Sequence, residues 1–278
     1  MLRHAFSSHP GVGVSYPGPH SSHRAGLTPP KFWARDEWRI PERELWNIRK
    51  NIIKEEVDPD LLIINGDLID GRGQASGGTE LLTSSLVMQA HIAAVCALQW
   101  KTHKVMITRG TPYHTGWGGE DWEDLTADAI RNSLTELYGP DCQVEIDDQL
   151  FITINGVTLD VKHHVGSTVT PYTGGTAMIR EKVWNEAWWL DGKGQPLADI
   201  ILRAHAHFHE GYWGIRNGKP WYAIRQPALQ AATTKYGKKC TRRLDWGLLM
   251  ITIDDDGAID IRPHIVAVKA NKHRVIVL

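Results

Sequence analysis

Short runs of consecutive apolar residues, each closed by turn-forming residues, alternate along the chain with stretches of helical periodicity. Between about 37 and 56, Trp38, Leu45, Trp46, Ile48, Ile52 and Ile53 recur at helical spacing, with Pro41 near the start and charges between them, which predicts an amphipathic helix. Residues 61–64 are a short apolar run between Asp-Pro-Asp and Asn-Gly-Asp, the pattern of a strand buried on both faces. A mostly apolar helix over 80–100 and a second buried strand over 104–108 follow, then a helix over 122–138. Residues 149–154 and 157–161, joined by Asn155-Gly156, predict a hairpin. A helix containing Trp184, Trp188 and Trp189 leads to the apolar run ADIILRA, and strands are expected at 247–253 and 259–265, with a turn at 254–257. Helices alternating with buried strands imply an α/β fold of layered sheets flanked by helices, organised as one domain over 1–278. Residues 1–30, rich in Gly, Pro, Ser and His, form an atypical N-terminal segment, and VGVSYP within it is poor strand material because Gly and Pro interrupt it.

Composition narrows the classes without choosing among them. The 278 residues carry 31 Lys and Arg against 32 Asp and Glu, with 42% hydrophobic and 23% charged residues, which excludes disordered, collagen-like and coiled-coil chains. No apolar run reaches the roughly 18 residues a transmembrane helix needs. The early basic residues are not followed by the apolar stretch of a secretory signal. Cys96, Cys142 and Cys240 form no CxxC pair, so a disulfide scaffold or cysteine zinc knuckle is not expected and a cytoplasmic setting is.

The chemistry concentrates where apolar runs end. LLIIN runs into Gly66-Asp67, KVMIT into Arg109 through His114, TLDVK into His163-His164, and DIILRA into His205-Ala206-His207, with His209 just beyond. Ligands of open α/β sheets bind beyond the carboxyl ends of strands, so these points converge if the strands run parallel. Imidazole with carboxylate suits Mn, Fe, Zn or Co, and a two-metal hydrolytic centre accounts for the set economically. His205 and His207, two apart on an extended segment, face one side, whereas His163 and His164 point oppositely. Each piece alone also has a plain structural explanation, as a turn aspartate or a core histidine.

These blocks resemble the calcineurin-like metallophosphoesterases. Gly66-Asp67-Leu68-Ile69-Asp70-Gly71, the loop Arg109 to His114, His163-His164 and Ala204-His205-Ala206-His207 look like the family's successive motifs over roughly residues 18–210, and Gly26 to Pro30 looks like the branch found in phages and prophages. The resemblance implies two divalent ions, Mn, Fe, Zn or Co. Asp67 would bridge them, His207 would complete the first shell, and His205 with His163 or His164 would hold the second. His114 enters the site as ligand or proton donor. Gly18-Pro19-His20 stands where the family has Asp-x-His, which keeps His20 as a ligand but puts glycine for the carboxylate. This implies a weakened first site and reduced activity, or a recorded N-terminus that is not authentic. The function implied is hydrolysis of a phosphate monoester or diester, in the bacterial host cytoplasm if phage-encoded. The alternative is an impaired metal-binding or nucleic-acid-binding protein on the same scaffold. An amidohydrolase also uses His-x-His, but there the pair comes first and the Asp last.

Charge is unevenly placed. From Arg216 to Arg243 eight basic residues occur without an acid, interleaved with Trp221, Tyr222 and Tyr236, a composition that suits a nucleic acid or nucleotide as well as a solvated loop. Residues 120–148 hold ten acids against Arg131 alone. No membrane partner is expected, and oligomeric state is open. The tryptophans of 184–189 are expected in core packing or a subunit contact, and Arg203 in a structural salt bridge or on a substrate phosphate.

Overall fold

The computed structural model describes residues 11–24, 26–33, 40–55, 58–116, 121–166, 173–230 and 244–266. Two sheets face each other. The six-stranded sheet has the order β11-β10-β1-β2-β3-β4, formed by β1 (Gly11–Pro17), β2 (Leu61–Asn65), β3 (Lys104–Thr108), β4 (Gln143–Asp147), β10 (Trp246–Ile253) and β11 (Ile259–Val266). The five-stranded sheet has the order β5-β6-β7-β9-β8, formed by β5 (Gln149–Ile154), β6 (Val157–Lys162), β7 (Ile200–Arg203), β8 (Glu210–Arg216) and β9 (Lys219–Arg225). Within the first sheet β1 to β4 are parallel, and within the second β6, β7 and β9 are parallel.

The period-2 alternation of strand side chains divides the apolar residues among three layers. Leu61 and Ile63 of β2, Leu159 and Val161 of β6, Leu202 of β7 and Ile251 of β10 fill the space between the sheets. Leu62, Ile64, Val105 and Ile107 point the other way, against α2 (Leu86–Ala97), α4 (Trp122–Tyr138) and Trp46 of α1 (Ile40–Glu55), and the single turn α3 (Pro112–Thr115) lies between β3 and α4. On the far side, Ile201 and Ala223 pack on Ala177 and Met178 of α5 (Thr176–Leu190). Strands β2 and β7 are therefore buried on both faces, which is why their sequences read as unbroken apolar runs.

Several expectations need correction. The segment 11–17 is a strand after all: β1 sits between β10 and β2, and ladder hydrogen bonds on both sides override the weak propensity of its glycines. The helix expected from 80 begins at Leu86, because the Ser85 hydroxyl accepts the Met88 N–H and caps it there. Strand β4, whose polar alternation hid it, pairs beside β3. The hairpin of β8 and β9 turns on Asn217 and Gly218, at φ 50° and 78°, as the first hairpin turns on Asn155 and Gly156 at 49° and 79°. Paired positive φ values at Asn-Gly define the turn whose twist matches the strands. The tryptophans of α5 are not core residues: Ala177, Met178, Lys182 and Asn185 face inward, and Trp184, Trp188 and Trp189 lie on the exposed side. Among the described residues no helix is long and apolar enough to cross a membrane.

Candidate metal centre

The segments predicted to converge do so, from two sheets rather than one. Beyond β1, residues 18–21 run alongside 66–69: His20 N–H donates to Asp67 O at 3.1 Å and Ser21 N–H to Leu68 O at 3.0 Å. The loop after β3 crosses the same point, with Thr111 N–H donating to Asp67 Oδ1 at 2.9 Å and its hydroxyl to the same oxygen at 3.3 Å. From the facing sheet, β6 delivers His163, and the turn after β7 delivers His205 and His207.

Among the described residues three groups place their donor atoms within 4.8 Å of one another: His20, Asp67 and His207; Asp67, His163 and His205; and His20, Asp70 and His114. Asp67 belongs to the first two and His20 to the first and third. The first two groups are each two imidazoles and a carboxylate, a donor set suited to borderline divalent metals. Ring nitrogens Nδ1 of His20 and Nδ1 of His114 are buried without a hydrogen-bond partner. Such groups are costly unless something else occupies their lone pairs, so the residues fit divalent cations.

Hydrogen bonding fixes how His163 presents itself. Its Nδ1 lies 2.7 Å from the backbone oxygen of Asn65, so Nδ1–H donates there and Nε2 points to Asp67 Oδ2 at 3.0 Å. Burial pulls the His163 imidazole down, but the Asp67 carboxylate more than offsets it and the pKa is raised. Burial likewise works against the Asp67 carboxylate, yet His163, His114 and His20 together hold it well below its ordinary value. His20, His205 and His207 are lowered, chiefly by burial, the last two to about 4. His20, His205 and His207 are thus held neutral around an ionised carboxylate, the protonation states that metal ligation requires, whereas His163 would release its Nε2 proton on binding.

The backbone is strained where the donors sit. His20, Asp67, His205 and His207 take φ values of 44°, 54°, 64° and 59°, in the left-handed region that costs a non-glycine residue about 1–2 kcal/mol. Close approach demands glycine beside them. A Cβ on Gly66 would lie 2.2 Å from His163 Nδ1, and one on Gly110 2.1 Å from Asp67 Oδ1.

Gly18 has no room for a side chain on this backbone. A Cβ there would lie 1.8 Å from the Gly66 carbonyl oxygen and 2.2 Å from that of Asp67. An aspartate at 18 therefore does not fit this backbone. The second carboxylate near His20 comes instead from Asp70, three residues beyond Asp67, whose Oδ1 is 3.6 Å from His114 Nδ1. Asp70 is buried, and desolvation with the Asp67 and Glu80 charges raises its pKa to about 8. The signal for it was present in the sequence as the second aspartate of Gly-Asp-x-x-Asp.

Beneath the donors lies a closed polar network that sequence reading missed. Thr108 Oγ1–H donates to Asn65 Oδ1 at 2.7 Å, Asn65 Nδ2–H to Gln226 Oε1 at 2.6 Å, and Gln226 Nε2–H to Ser15 Oγ at 2.6 Å. All four residues are fully buried, and the chain ties β1, β2 and β3 to the end of β9 under the site.

Other sequence candidates lie elsewhere. His164 is exposed and outside the donor groups, its ring 5.0 Å from that of His205. His209 Nδ1 faces the Arg225 carbonyl oxygen at 3.0 Å. Arg203 is held structurally, 2.8 Å from Asp160 and 2.9 Å from Glu181. Of the basic stretch, Arg225 is buried beside Glu210, Arg216 lies 3.7 Å from Glu186 and over the Trp189 ring, and 231–243 fall outside the described residues. Arg109 takes up Asp121 and Asp124 from the acidic stretch.

The chain matches no protein-family model. No curated protein matches it either. Among solved structures it is similar to an archaeal phosphodiesterase, at 12% identity and a TM-score of 0.44, over 92% of this chain and 99% of that one. It is also similar to Vps29 of Entamoeba histolytica in complex with zinc, at 13% identity and a TM-score of 0.42, over 91% and 98%. A third is the phosphoesterase YfcE of E. coli, at 13% identity and a TM-score of 0.37, over 93% and 100%. Likeness at these TM-scores is partial, and the chemistry is carried by the side chains described above.

Proposed function

We propose that the chain is a metal-dependent phosphoesterase whose two divalent cations share Asp67. The observation that carries this reading is the membership of one buried carboxylate in two groups of two histidines each. His20 and His207 would hold one ion with Asp67, and His163 and His205 the other. When bound, such ions lower the pKa of water to about 7 and neutralise charge on the phosphoryl oxygens.

The chain's own residues do the rest. The Asn65 carbonyl holds the Nδ1 proton of His163, so Nε2 is the atom offered to the centre. Thr111 orients Asp67 through its N–H and hydroxyl. His114 stands beside Asp70 and 4.9 Å, ring to ring, from His20, at the edge of the donor groups rather than within the shared pair. Burial lowers its pKa against the opposing pull of the Asp67 carboxylate, and an arriving phosphate anion would favour the charged imidazole. A charged His114 would then donate its proton to the leaving oxygen, a transfer worth roughly 10²- to 10⁴-fold. Hydrolysis of bis-p-nitrophenyl phosphate and p-nitrophenyl phosphate with added Mn tests the proposal. Metal-dependent turnover, absent in Asp67→Ala, is expected, and the preferred ester separates a diesterase from a monoesterase. Bound metal without turnover of either ester would favour a binding protein instead.

A further inference from the structure

Glu123 lies in the first turn of α4, touches none of the three donor groups, and is fully buried. Its two oxygens accept one backbone N–H each: Oε1 from Leu68 at 2.7 Å and Oε2 from Gly110 at 2.7 Å. Leu68 is the residue after Asp67. Gly110 precedes Thr111, the residue whose N–H and hydroxyl hold Asp67 Oδ1. One carboxylate thus grips both segments that aim Asp67, the peptide that carries it and the loop that bonds it. The two loops have no slack, since Gly110 sits so close to Asp67 that even a Cβ would collide with its carboxylate.

The start of α4 is itself held to this loop. The Asp121 side chain accepts the Glu123 and Asp124 N–H groups as an N-cap, and Asp121 and Asp124 both pair with Arg109. Trp122 packs under Gly71 on the other side of the Asp67 loop. A helix start fixed on three sides gives Glu123 a rigid base, and Asp67 has a left-handed φ of 54° that needs an external hold on the peptide after it.

We propose that Glu123 is a positioning residue that sets the direction in which Asp67 faces both histidine pairs, so that metal affinity depends on it. This rests on the reading of Asp67 as a shared metal ligand. Replacing a carboxylate that accepts two N–H bonds by an amide turns an NH2 group toward a backbone donor, which leaves that donor buried and unpaired. Loss of such an outer-shell partner typically weakens metal binding 10- to 100-fold.

The test is Mn2+ affinity, measured by calorimetry below the melting temperature, for wild type, Glu123→Gln, Glu123→Asp, Asp67→Ala and Ile130→Val. Ile130 is a core residue further along α4, and its truncation lowers stability without touching the loops. The expectation is an affinity about 10- to 100-fold weaker in Glu123→Gln, a smaller loss in Glu123→Asp, which can keep one of the two bonds, and none in Ile130→Val. If Glu123→Gln does not fold, Glu123→Asp decides on the same criterion. An unchanged affinity in the folded Glu123 variants, with binding lost in Asp67→Ala, would overturn the positioning role and leave the metal reading standing. Equal losses in Ile130→Val would also overturn it, by showing that any loss of stability has this effect. Failure of the wild type itself to bind Mn2+ would remove the metal reading and the proposal with it.

Discussion

Substituting Gly18 separates the backbone account of the site from the simple expectation that a missing aspartate can be put back. Residues 18 and 66–67 lie so close that a Cβ at 18 would meet two backbone oxygens, the nearer at 1.8 Å. Relief to the 3.0 Å below which such contacts essentially never occur requires a displacement of about 1.2 Å between the two segments. Neither can yield by rotating a side chain. The shift falls on the hydrogen bond from His20 N–H to Asp67 O. Overpacking costs roughly 1–3 kcal/mol, and a lost hydrogen bond adds about 1 kcal/mol. Gly18→Ala is thus expected to destabilise by about 2–4 kcal/mol, a fall in Tm of roughly 5–15 °C for a chain of this size. Gly18→Asp adds a buried carboxylate and should do worse. Thermal unfolding by circular dichroism, with Mn2+ affinity on the same samples, checks this. A Gly18→Asp protein that melts with the wild type and binds Mn2+ more tightly would refute the reasoning and restore position 18 as a vacated ligand.

Acid should loosen the metal-free protein through its buried imidazoles. A histidine held at about 4 when folded and 6.5 when unfolded takes up its proton only in the unfolded chain between those values. Stability from His207 is therefore full above about pH 6.5 and drains as the pH falls toward 4. His207→Asn should flatten that dependence by up to roughly 3 kcal/mol, measured by urea unfolding at several pH values, and an unchanged slope would count against its burial as a neutral imidazole. In the polar network, Gln226→Leu strands Asn65 Nδ2 and Ser15 Oγ, each costing about 1–3 kcal/mol. Urea unfolding should show a loss of roughly 2–5 kcal/mol, and a variant as stable as wild type would mean that water or rearrangement satisfies both groups.

What was legible in the sequence was what local pattern determines. Strands β2 and β7 are buried on both faces, so their apolar runs and the turn residues after them located both the strands and the loops carrying Asp67, His205 and His207. Helix α4 was legible from end to end, because Asp121 caps it and Gly139 ends it. Strand β1 was not, since its strand state comes from β2 and β10 on either side rather than from its own glycines. Glu123 escaped for a related reason. Its role arises from contacts with Leu68 and Gly110, 55 and 13 residues away, and does not show in spacing: it reads as one more acid in an acidic helix start. At Gly18 a motif comparison records which residue is absent, whereas the Cβ direction shows that this backbone leaves no room for one.

The claim that Asp67 serves two histidine pairs at once is tested most directly by the number of Mn2+ ions bound per chain in wild type, His207→Ala and Asp67→Ala. The account predicts two, one and none. One ion in the wild type, or two retained in Asp67→Ala, would contradict it.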